Sequence, residues 1–403
     1  MPVSADAKPS PALGSPGANR PPHAGRSGLR RRLGAIAAAA VLLGACSATA
    51  ATPAPTPASQ PTSAPAAAVA GSTSAPAVVG SSAPAPTPTA APVPLVVYSA
   101  QGYDSAMAKA FQAATGIPVQ LVDDSTGPLL VKVQAEINNP KWGLLWVDGD
   151  EAFASMDQQH YLVQGYEPNV DFNTLGTSLI PTDKSYIPTG VTMAGTVVYD
   201  TKTVQNPPAS WNDLLSAQWK GAVGMNDPAV SGPTYPFVAG LFNFLGGVSQ
   251  GESFLTKLKA NGLHVFQTNG DTLHALEGGQ IRIALIQSSA GIGAGLKTPG
   301  IKTAFIAPST PIPSVIGIDA KASPQEIAEA EQFAAFVLSP AGQQVMQSGD
   351  PTGDSLYWPV LNGVNPLAAL PSLSSVPAKA IDAYTWGGRE SAINTWFTNT
   401  IVH

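Results

Sequence analysis

The chain has 403 residues and a net charge of −6 at pH 7, with 20 basic residues, 26 acidic residues and a single cysteine, Cys46. Residues 1–45 hold six of the basic residues and one of the acidic residues, which leaves 14 basic and 25 acidic residues, a net charge of −11, in the rest. This balance argues against nucleic-acid binding, which needs clustered Lys and Arg. One cysteine forms no intrachain disulfide, so the fold depends on its core.

The first segment is typical of an export signal. Arg26 and Arg30–Arg32 precede an apolar stretch, Leu33–Leu43, that is shorter than the roughly 20 residues needed to span a bilayer. The small residues before Cys46 complete a run that resembles a bacterial lipobox. We therefore predict a signal peptide over residues 1–45 and a lipid on Cys46. The lipid would anchor the exported chain to a bacterial membrane, facing the periplasm or the cell exterior.

The next segment, residues 46–93, begins with the lipidated cysteine and then consists almost entirely of Ala, Pro, Ser, Thr, Val and Gly without charge. Such a composition cannot bury a core, and it predicts a disordered linker.

Alternating strand and helix signals begin after this linker. A helix is predicted from the spacing of Met107 and Phe111, with Asp104 as its cap and Gly116 as its stop. Around it the sequence predicts strands at Leu95–Ser99, Val119–Val122 and Leu144–Val147, and helices over Leu129–Asn138 and from Ala152. Strands and helices that alternate with short joins indicate a parallel sheet with right-handed crossovers.

A second block repeats the pattern. It has predicted strands at Val197–Tyr199, Ala222–Met225, His264–Phe266, Ile281–Ile286, Thr303–Ala307 and Val315–Ile318, and a capping box at Ser210–Asp213 that opens a helix. The fold class predicted is α/β, with two doubly wound lobes joined by a two-crossing hinge near Pro188–Ala194 and Ala307–Pro313. Lobe 1 is predicted over 94–190 plus 311–348, and lobe 2 over 191–310 plus 349–403.

Polar loops follow the predicted strands, and open α/β sheets bind ligands beyond the carboxyl ends of their strands. Hydroxyls and free N–H groups at helix starts suit an anion, whereas Asp148 and Asp227 would meet an ammonium. Ordinary helix capping is the alternative for each loop. The predicted ligand-binding residues are Ser99, Gln101, Ser125, Thr126, Gly127, Asp148, Asp150, Asp227, Ser231, Gly232, Asn269, Ser288 and Ser289.

Signatures of catalysis are weak. Gly247–Gly251 matches the G-x-S-x-G pattern around Ser249, but that motif needs a strand before the serine, and a helix is predicted there. His160, His264 and His274 lack the spacing of metal ligands. We expect no enzymatic activity, no metal and no cofactor, and we keep an envelope serine hydrolase as the alternative.

The chain resembles the extracellular solute-binding proteins of bacterial ABC importers, in the ferric and phosphonate branch with the type 2 periplasmic binding protein fold. The resemblance covers about residues 94–350 and is carried by Val96–Ser99, Phe111–Val119, Trp211–Leu215 with Trp219–Gly221, and Ser339–Gln343. It implies a monomer that closes on a small-molecule solute and presents it to the membrane permease. An extracytoplasmic sensor-binding protein remains an alternative.

The ferric members hold iron with a histidine after the first strand, a carboxylate after the third strand and an adjacent tyrosine pair. In this sequence those positions fall at Gly102, at Asp148 and near Ser288 and Ser289, so only the carboxylate is kept. The resemblance therefore implies a phosphorylated, phosphonate or zwitterionic solute in place of bare ferric ion.

Overall fold

The computed structural model describes residues 94–403. Contacts divide the chain into residues 1–84 and 85–403, and the described residues belong to the second unit. The predicted signal peptide, the lipidation site Cys46 and the predicted linker lie outside the described residues. Within 94–403, no helix combines the length and the apolar character needed to cross a bilayer.

The first sheet has five strands in the order β2-β1-β3-β10-β4. They are β1 (Leu95–Ser99), β2 (Val119–Asp123), β3 (Leu144–Asp148), β4 (Tyr186–Ala194) and β10 (Thr310–Ile318). β1 pairs in parallel with β2 and β3, whereas β10 pairs antiparallel with β3 and β4. The predicted parallel sheet is therefore wrong for β10, because the chain re-enters the first sheet along this strand in the opposite direction.

The second sheet also has five strands, in the order β7-β6-β8-β5-β9. They are β5 (Thr196–Asp200), β6 (Val223–Asn226), β7 (His264–Phe266), β8 (Ile283–Ile286) and β9 (Ile301–Ala304). β6 is parallel to β7 and β8, and β5 is antiparallel to β8 and β9. Two mixed sheets with the same kind of strand order confirm the predicted α/β class with two lobes.

Helices cover both sheets. They are α1 (Asp104–Thr115), α2 (Thr126–Ala135), α3 (Glu151–Gln158), α4 (Thr174–Leu179), α5 (Thr234–Leu245), α6 (Val248–Ala260), α7 (Asn269–Glu277), α8 (Ser288–Lys297), α9 (Pro324–Val337), α10 (Pro340–Gly349), α11 (Ala383–Gly387) and α12 (Glu390–Phe397). α1 buries Met107 and Phe111 and ends at Gly116 in the left-handed conformation, as its sequence predicts. The capping box at Ser210 is present, but it opens a 3₁₀ helix, Trp211–Leu215, where an α-helix was predicted. Further 3₁₀ turns lie at Ala217–Trp219 and Leu373–Ser375, and a π-helical turn, Thr398–Val402, follows α12.

The chain crosses between the sheets twice. It leaves β4 through Gly195 to enter β5, and it returns from β9 to β10 through residues 305–309. Pro188–Ala194 and Thr310–Pro313, predicted as hinge, instead lie inside the paired strands β4 and β10. The crossings are therefore shorter than predicted and sit at the ends of two long antiparallel strands.

Hydrophobic packing assigns the C-terminal segment to both halves. Leu356, Trp358, Leu370 and Val376 are buried in the core of the first sheet. Trp386, Ile393, Phe397 and Ile401 are buried in the core of the second sheet. We therefore propose that lobe 1, the first sheet with its helices, includes residues 349–376, and that lobe 2, the second sheet with its helices, takes the chain from α11 onward. α11 lies where the two lobes meet, because Ala383 is buried in a lobe 1 cluster whereas Trp386 is buried in the core of lobe 2.

Candidate functional site

A buried hydrogen-bond network joins the carboxyl ends of the strands of both lobes. Asp148, the last residue of β3, accepts from Gln101 Nε2 at 3.1 Å and from the Ser314 hydroxyl. Its other oxygen accepts from Gln287 Nε2 at 2.8 Å, and Gln287 directly follows β8 in lobe 2. These four side chains are at most 8% exposed. Lobe 1 and lobe 2 are therefore linked through one carboxylate.

The network continues through lobe 2. Asn269 Nδ2 donates to Gln287 Oε1 at 3.3 Å, and Asn226 Nδ2 donates to Asn269 Oδ1 at 2.7 Å. Asn226 Nδ2 also donates to Ser231 Oγ at 3.1 Å, and the Thr272 hydroxyl donates to Asn226 Oδ1. Asn226 is the last residue of β6 and Ser231 lies in the loop after it, Asn269 and Thr272 lie in the first half of α7 after β7, and Gln287 follows β8. The polar ends of strands from both sheets therefore meet, as the fold class predicts.

A second contact between the lobes lies at the start of α2. The backbone N–H of Gly127 donates to the carbonyl of Val230 at 3.0 Å. A Cβ atom built on Gly127 would lie 2.1 Å from the Ala229 oxygen, and one built on Gly232 would lie 2.2 Å from Thr126 Oγ1. The two predicted anion loops thus touch each other, and this approach requires glycine at both positions.

Carboxylates crowd the lobe 1 side of this network. Burial raises the pKa of Asp148, while the donors Ser314, Gln101 and Gln287 oppose the shift. Burial, followed by the Asp148 charge, raises the pKa of Asp354 to about 7, although the Gly102 N–H donates to Asp354 at 2.8 Å. Neither Asp148 nor Asp354 takes part in an ion pair within the described part of the chain. The ion pairs there join Lys132 to Glu136 and Lys184 to Glu167. The side is acidic without a paired cation.

The predicted ligand-binding residues fall into three groups. Gln101, Asp148, Asn269 and Ser231 lie in the network, and Thr126, Gly127 and Gly232 form the loop contact. The remaining residues make local contacts or begin helices: Ser99 accepts from the Gln101 N–H, Asp227 accepts from the Ala229 N–H, Ser288 accepts from the Met193 N–H, and Asp150 and Ser125 precede α3 and α2. Ser289 is fully buried, and its hydroxyl has no hydrogen-bond partner among the described residues. Their contact with a solute remains a prediction.

The predicted ligand-binding residues did not include Gln287, Asn226, Ser314 and Thr192, the last of which accepts from Gln287 Nε2 at 3.0 Å. Gln287 and Asn226 carry a usable signal, since each is a polar residue at the end of an apolar strand. Ser314 and Thr192 lie inside β10 and β4, where the pattern of the strand does not distinguish them. Ser288 and Ser289, predicted in a loop, are the first two residues of α8.

Two alternative chemistries find little support in the geometry. Ser249 is exposed in the first turn of α6 and follows the end of α5, so the strand that a nucleophile elbow needs is missing at this position. In residues 94–403 no group of three or more His, Cys, Asp or Glu side chains is arranged to hold a metal ion.

A family model described as "Bacterial extracellular solute-binding protein" matches residues 106–378. Among curated proteins, the chain is similar to a "Putative 2-aminoethylphosphonate-binding periplasmic protein" of Salmonella paratyphi A. The two are 25% identical over 240 residues, which cover 58% of this chain and 68% of the relative. A protein of Salmonella typhimurium with the same description is also 25% identical over the same shares.

Solved structures share the fold. Iron-bound HitA from Pseudomonas aeruginosa superposes with a TM-score of 0.64 at 20% identity, covering 75% of this chain and 99% of that chain. AfuA from Actinobacillus pleuropneumoniae, with fructose-6-phosphate bound, superposes with a TM-score of 0.68 at 16% identity, covering 77% and 98%. AfuA is described as a periplasmic binding protein, and at these identities the likeness to both structures concerns the fold.

Proposed function

The chain belongs to the bacterial extracellular solute-binding protein family, and from this premise we propose that it captures a small polar solute between its lobes for the permease of an ABC importer. The observation that carries the proposal is the buried network in which Gln101 and Asp148 of lobe 1 meet Gln287 of lobe 2. A solute that enters the cleft would take over these hydrogen bonds, because buried polar groups need partners.

The proposed solute carries a phosphate or phosphonate group, either alone or together with an ammonium. The similar Salmonella proteins are described as binding 2-aminoethylphosphonate, and AfuA holds fructose-6-phosphate, which supports this choice. The donors we propose for the anionic group are Ser125, Thr126, Gly127, Ser231, Gly232, Ser288 and Ser289. Asp148 and Asp227 would accept from an ammonium. α2 and α8 begin among these donors, and helix starts favour negative charge.

Lobe movement would control access to this site. In the described conformation the loops meet at Gly127 and Val230, which leaves no room for a solute between them. Bending at the two crossings, and at the segment between Val376 and Ala383 that leads from lobe 1 to α11, would separate the loops. A solute that touches both lobes would then favour closure by binding that state better.

Titration calorimetry with 2-aminoethylphosphonate, fructose-6-phosphate, ethylphosphonate and inorganic phosphate tests the function. We expect at least one to bind, and the double change Ser125→Ala with Thr126→Ala to weaken that binding about tenfold or more, since two donors are lost. Ser249→Ala, exposed on α6, is the matched control and should bind as the unmodified protein does. Absence of binding for all four compounds would contradict the proposed solute class. Unchanged affinity in the double variant would contradict the assignment of Ser125 and Thr126 as donors to the anionic group.

The family is extracellular, so the chain is exported, and we propose that a lipid on Cys46 holds it at the membrane. Cys46→Ser should move the protein from the membrane fraction to the soluble fraction or the medium, because no acyl chain is then attached. Fractionation followed by intact mass measurement checks this. Retention of the variant in the membrane fraction would refute the anchor.

A further inference from the structure

A cavity of about 670 Å³ lies beside the network on the far side of Asp148. α2 and α3 of lobe 1 form one wall, and the start of α5 together with α11 and α12 of lobe 2 forms the other. Asp148 is the one network carboxylate that lines it, whereas Gln101, Gln287 and Asn269 do not. Its volume is in the range of pockets that hold small organic ligands.

Glu151 is a buried acceptor that its surroundings leave unsatisfied. It is the first residue of α3, is 2% exposed and lines the cavity. Its Oε2 atom has no hydrogen-bond partner within residues 94–403. Native interiors leave few buried polar atoms unpaired, and each such atom calls for an explanation. A ligand in the cavity would supply the missing donor.

Two further groups from α12 line the same space. The Asn394 Oδ1 atom is also buried without a partner among the described residues. The Glu390 carboxyl is the second, and burial raises its pKa to about 7. Burial first, and then the charges of Glu390 and Glu151, raise the pKa of Tyr235 on the same wall, while Arg389 opposes the shift. The two carboxyls therefore act on one region. Acceptor oxygens from both lobes thus surround the cavity.

No basic side chain (Lys, Arg or His) among the described residues lines the cavity, although the charge of Arg389 also acts on Tyr235. The guanidinium of Arg389, next to Glu390 in sequence, lies over the Trp386 ring at 5.0 Å from its centroid. Among the described residues no donor reaches Glu151 Oε2. Burial, followed by the Asp150 charge, raises the pKa of Glu151 well above its ordinary value, and a cationic donor would favour its charged form.

The apolar residues that line the cavity indicate which class of cation it suits. Leu130, Val133, Ile137 and Met156 supply an apolar wall opposite α12. An inorganic cation would gain nothing from this wall, and the described residues lack a cluster of carboxylates that could coordinate a metal. An amine carried on a hydrocarbon chain matches both parts of the surface.

We propose that this cavity binds the primary ammonium group of an organic cation, with Glu151 and Asn394 accepting its N–H groups and Glu390 contributing negative charge. This deepens the proposed function, on which it rests for the assumption that the amine belongs to the captured solute. It moves the ammonium from Asp227, which does not line the cavity, to Glu151 and Asn394 on the side of Asp148. Thr126, Gly127 and Gly232 also line the cavity, so the amine subsite adjoins these anion donors and lies apart from Ser288 and Ser289 at the start of α8.

Calorimetry with n-hexylammonium chloride tests the subsite directly, with n-hexanol as the neutral control of matched length. We expect the ammonium to bind and the alcohol to bind about tenfold or more weakly, because the alcohol cannot meet a carboxylate with charge. Glu151→Gln and Asn394→Leu should each weaken n-hexylammonium binding about tenfold or more. Thermal melting of each variant shows whether it is folded, and the comparison of amine with alcohol in the unmodified protein needs no variant.

The outcomes separate this proposal from the general function. If neither compound binds, or if the alcohol binds as well as the ammonium, the subsite is refuted even when a phosphonate or phosphate binds in the cleft. If n-hexylammonium binds and depends on Glu151 while none of the four phosphorus compounds binds, the subsite stands and the proposed solute class fails. Binding that is unchanged in both Glu151→Gln and Asn394→Leu would place the amine elsewhere and overturn the assignment.

Discussion

At the scale of single residues, Gly195 decides how the chain passes from β4 to β5. Its φ is +60°, and a Cβ atom built on it would lie 2.0 Å from the Phe237 ring. Both the backbone conformation and the contact exclude other side chains. The crossing between the lobes therefore depends on a residue without a side chain, packed against a buried aromatic ring at the start of lobe 2.

We predict that Gly195→Ala lowers the free energy of unfolding by about 2–4 kcal/mol, because a left-handed conformation and an overpacked contact are both imposed. Gly116→Ala is the matched control. Gly116 also has a positive φ, +77°, but nothing lies within 4 Å of its Cβ position, so its cost should be about 1–2 kcal/mol. Urea unfolding measures both variants. Equal losses would mean that Phe237 moves away without cost.

At the scale of elements, the start of α2 meets the opposite lobe through its second residue, Gly127. Alanine there would approach the backbone oxygen of Ala229 to 2.1 Å, and backbone cannot move aside as a side-chain end can. Within α2 itself, however, alanine is the better helix former. The same substitution thus acts in opposite directions on the helix and on the contact between the lobes.

We predict that Gly127→Ala weakens binding of the solute identified by titration about tenfold or more, because the lobes no longer close fully. The stability of the solute-free protein should change by less than about 1 kcal/mol. Gly270→Ala is the control, since Gly270 is likewise the second residue of a helix, α7, but its Cβ position is open apart from Thr268 Oγ1 at 3.6 Å. Calorimetry with small-angle scattering checks both. Normal affinity in Gly127→Ala would contradict a closed state held by this contact.

Elements with a local signal could be predicted from the sequence. β1 and α1 were predicted at their observed positions, since an apolar run and a helical repeat ended by Gly116 need no distant information. α8 was missed because Gly291, Gly293 and Gly295 lower its helix propensity. Its packing explains them: Cβ atoms at Gly291 and Gly293 would collide with Val198 and with the Thr352 carbonyl. Tertiary contact therefore overrides propensity in α8.

The candidate site was predictable in outline only. Polar residues after strands were expected to face one gap, and Gln101, Asp148 and Asn269 do meet there. Their hydrogen-bond partners depend on how the two lobes pack against each other, and no local sequence pattern predicts that packing. The role of Ser314 therefore appeared only in three dimensions, as did the Glu151 oxygen without a partner among the described residues. Gln287 carried a local signal, but its partners could not be predicted.

At the scale of the whole molecule, buried carboxyls should make stability depend on pH. Burial raises the pKa of Asp354 and of Glu390 to about 7, and that of Asp150 and of Asp104 to about 6. In the unfolded chain these acids titrate near pH 4. Between about pH 4 and 7 the folded state therefore holds more protons than the unfolded state, so stability falls as the pH rises.

We predict that the free energy of unfolding is higher at pH 5 than at pH 8, by on the order of 1–3 kcal/mol for a group such as Asp354. Exposed acids with lowered pKa, such as Asp213, lose their contribution only at lower pH and do not reverse this sign. Asp354→Asn can still accept the Gly102 N–H but cannot titrate, so it should flatten the profile. Urea unfolding at both pH values checks this. A profile that rises from pH 5 to pH 8 would mean that these carboxyls become hydrated or paired in solution.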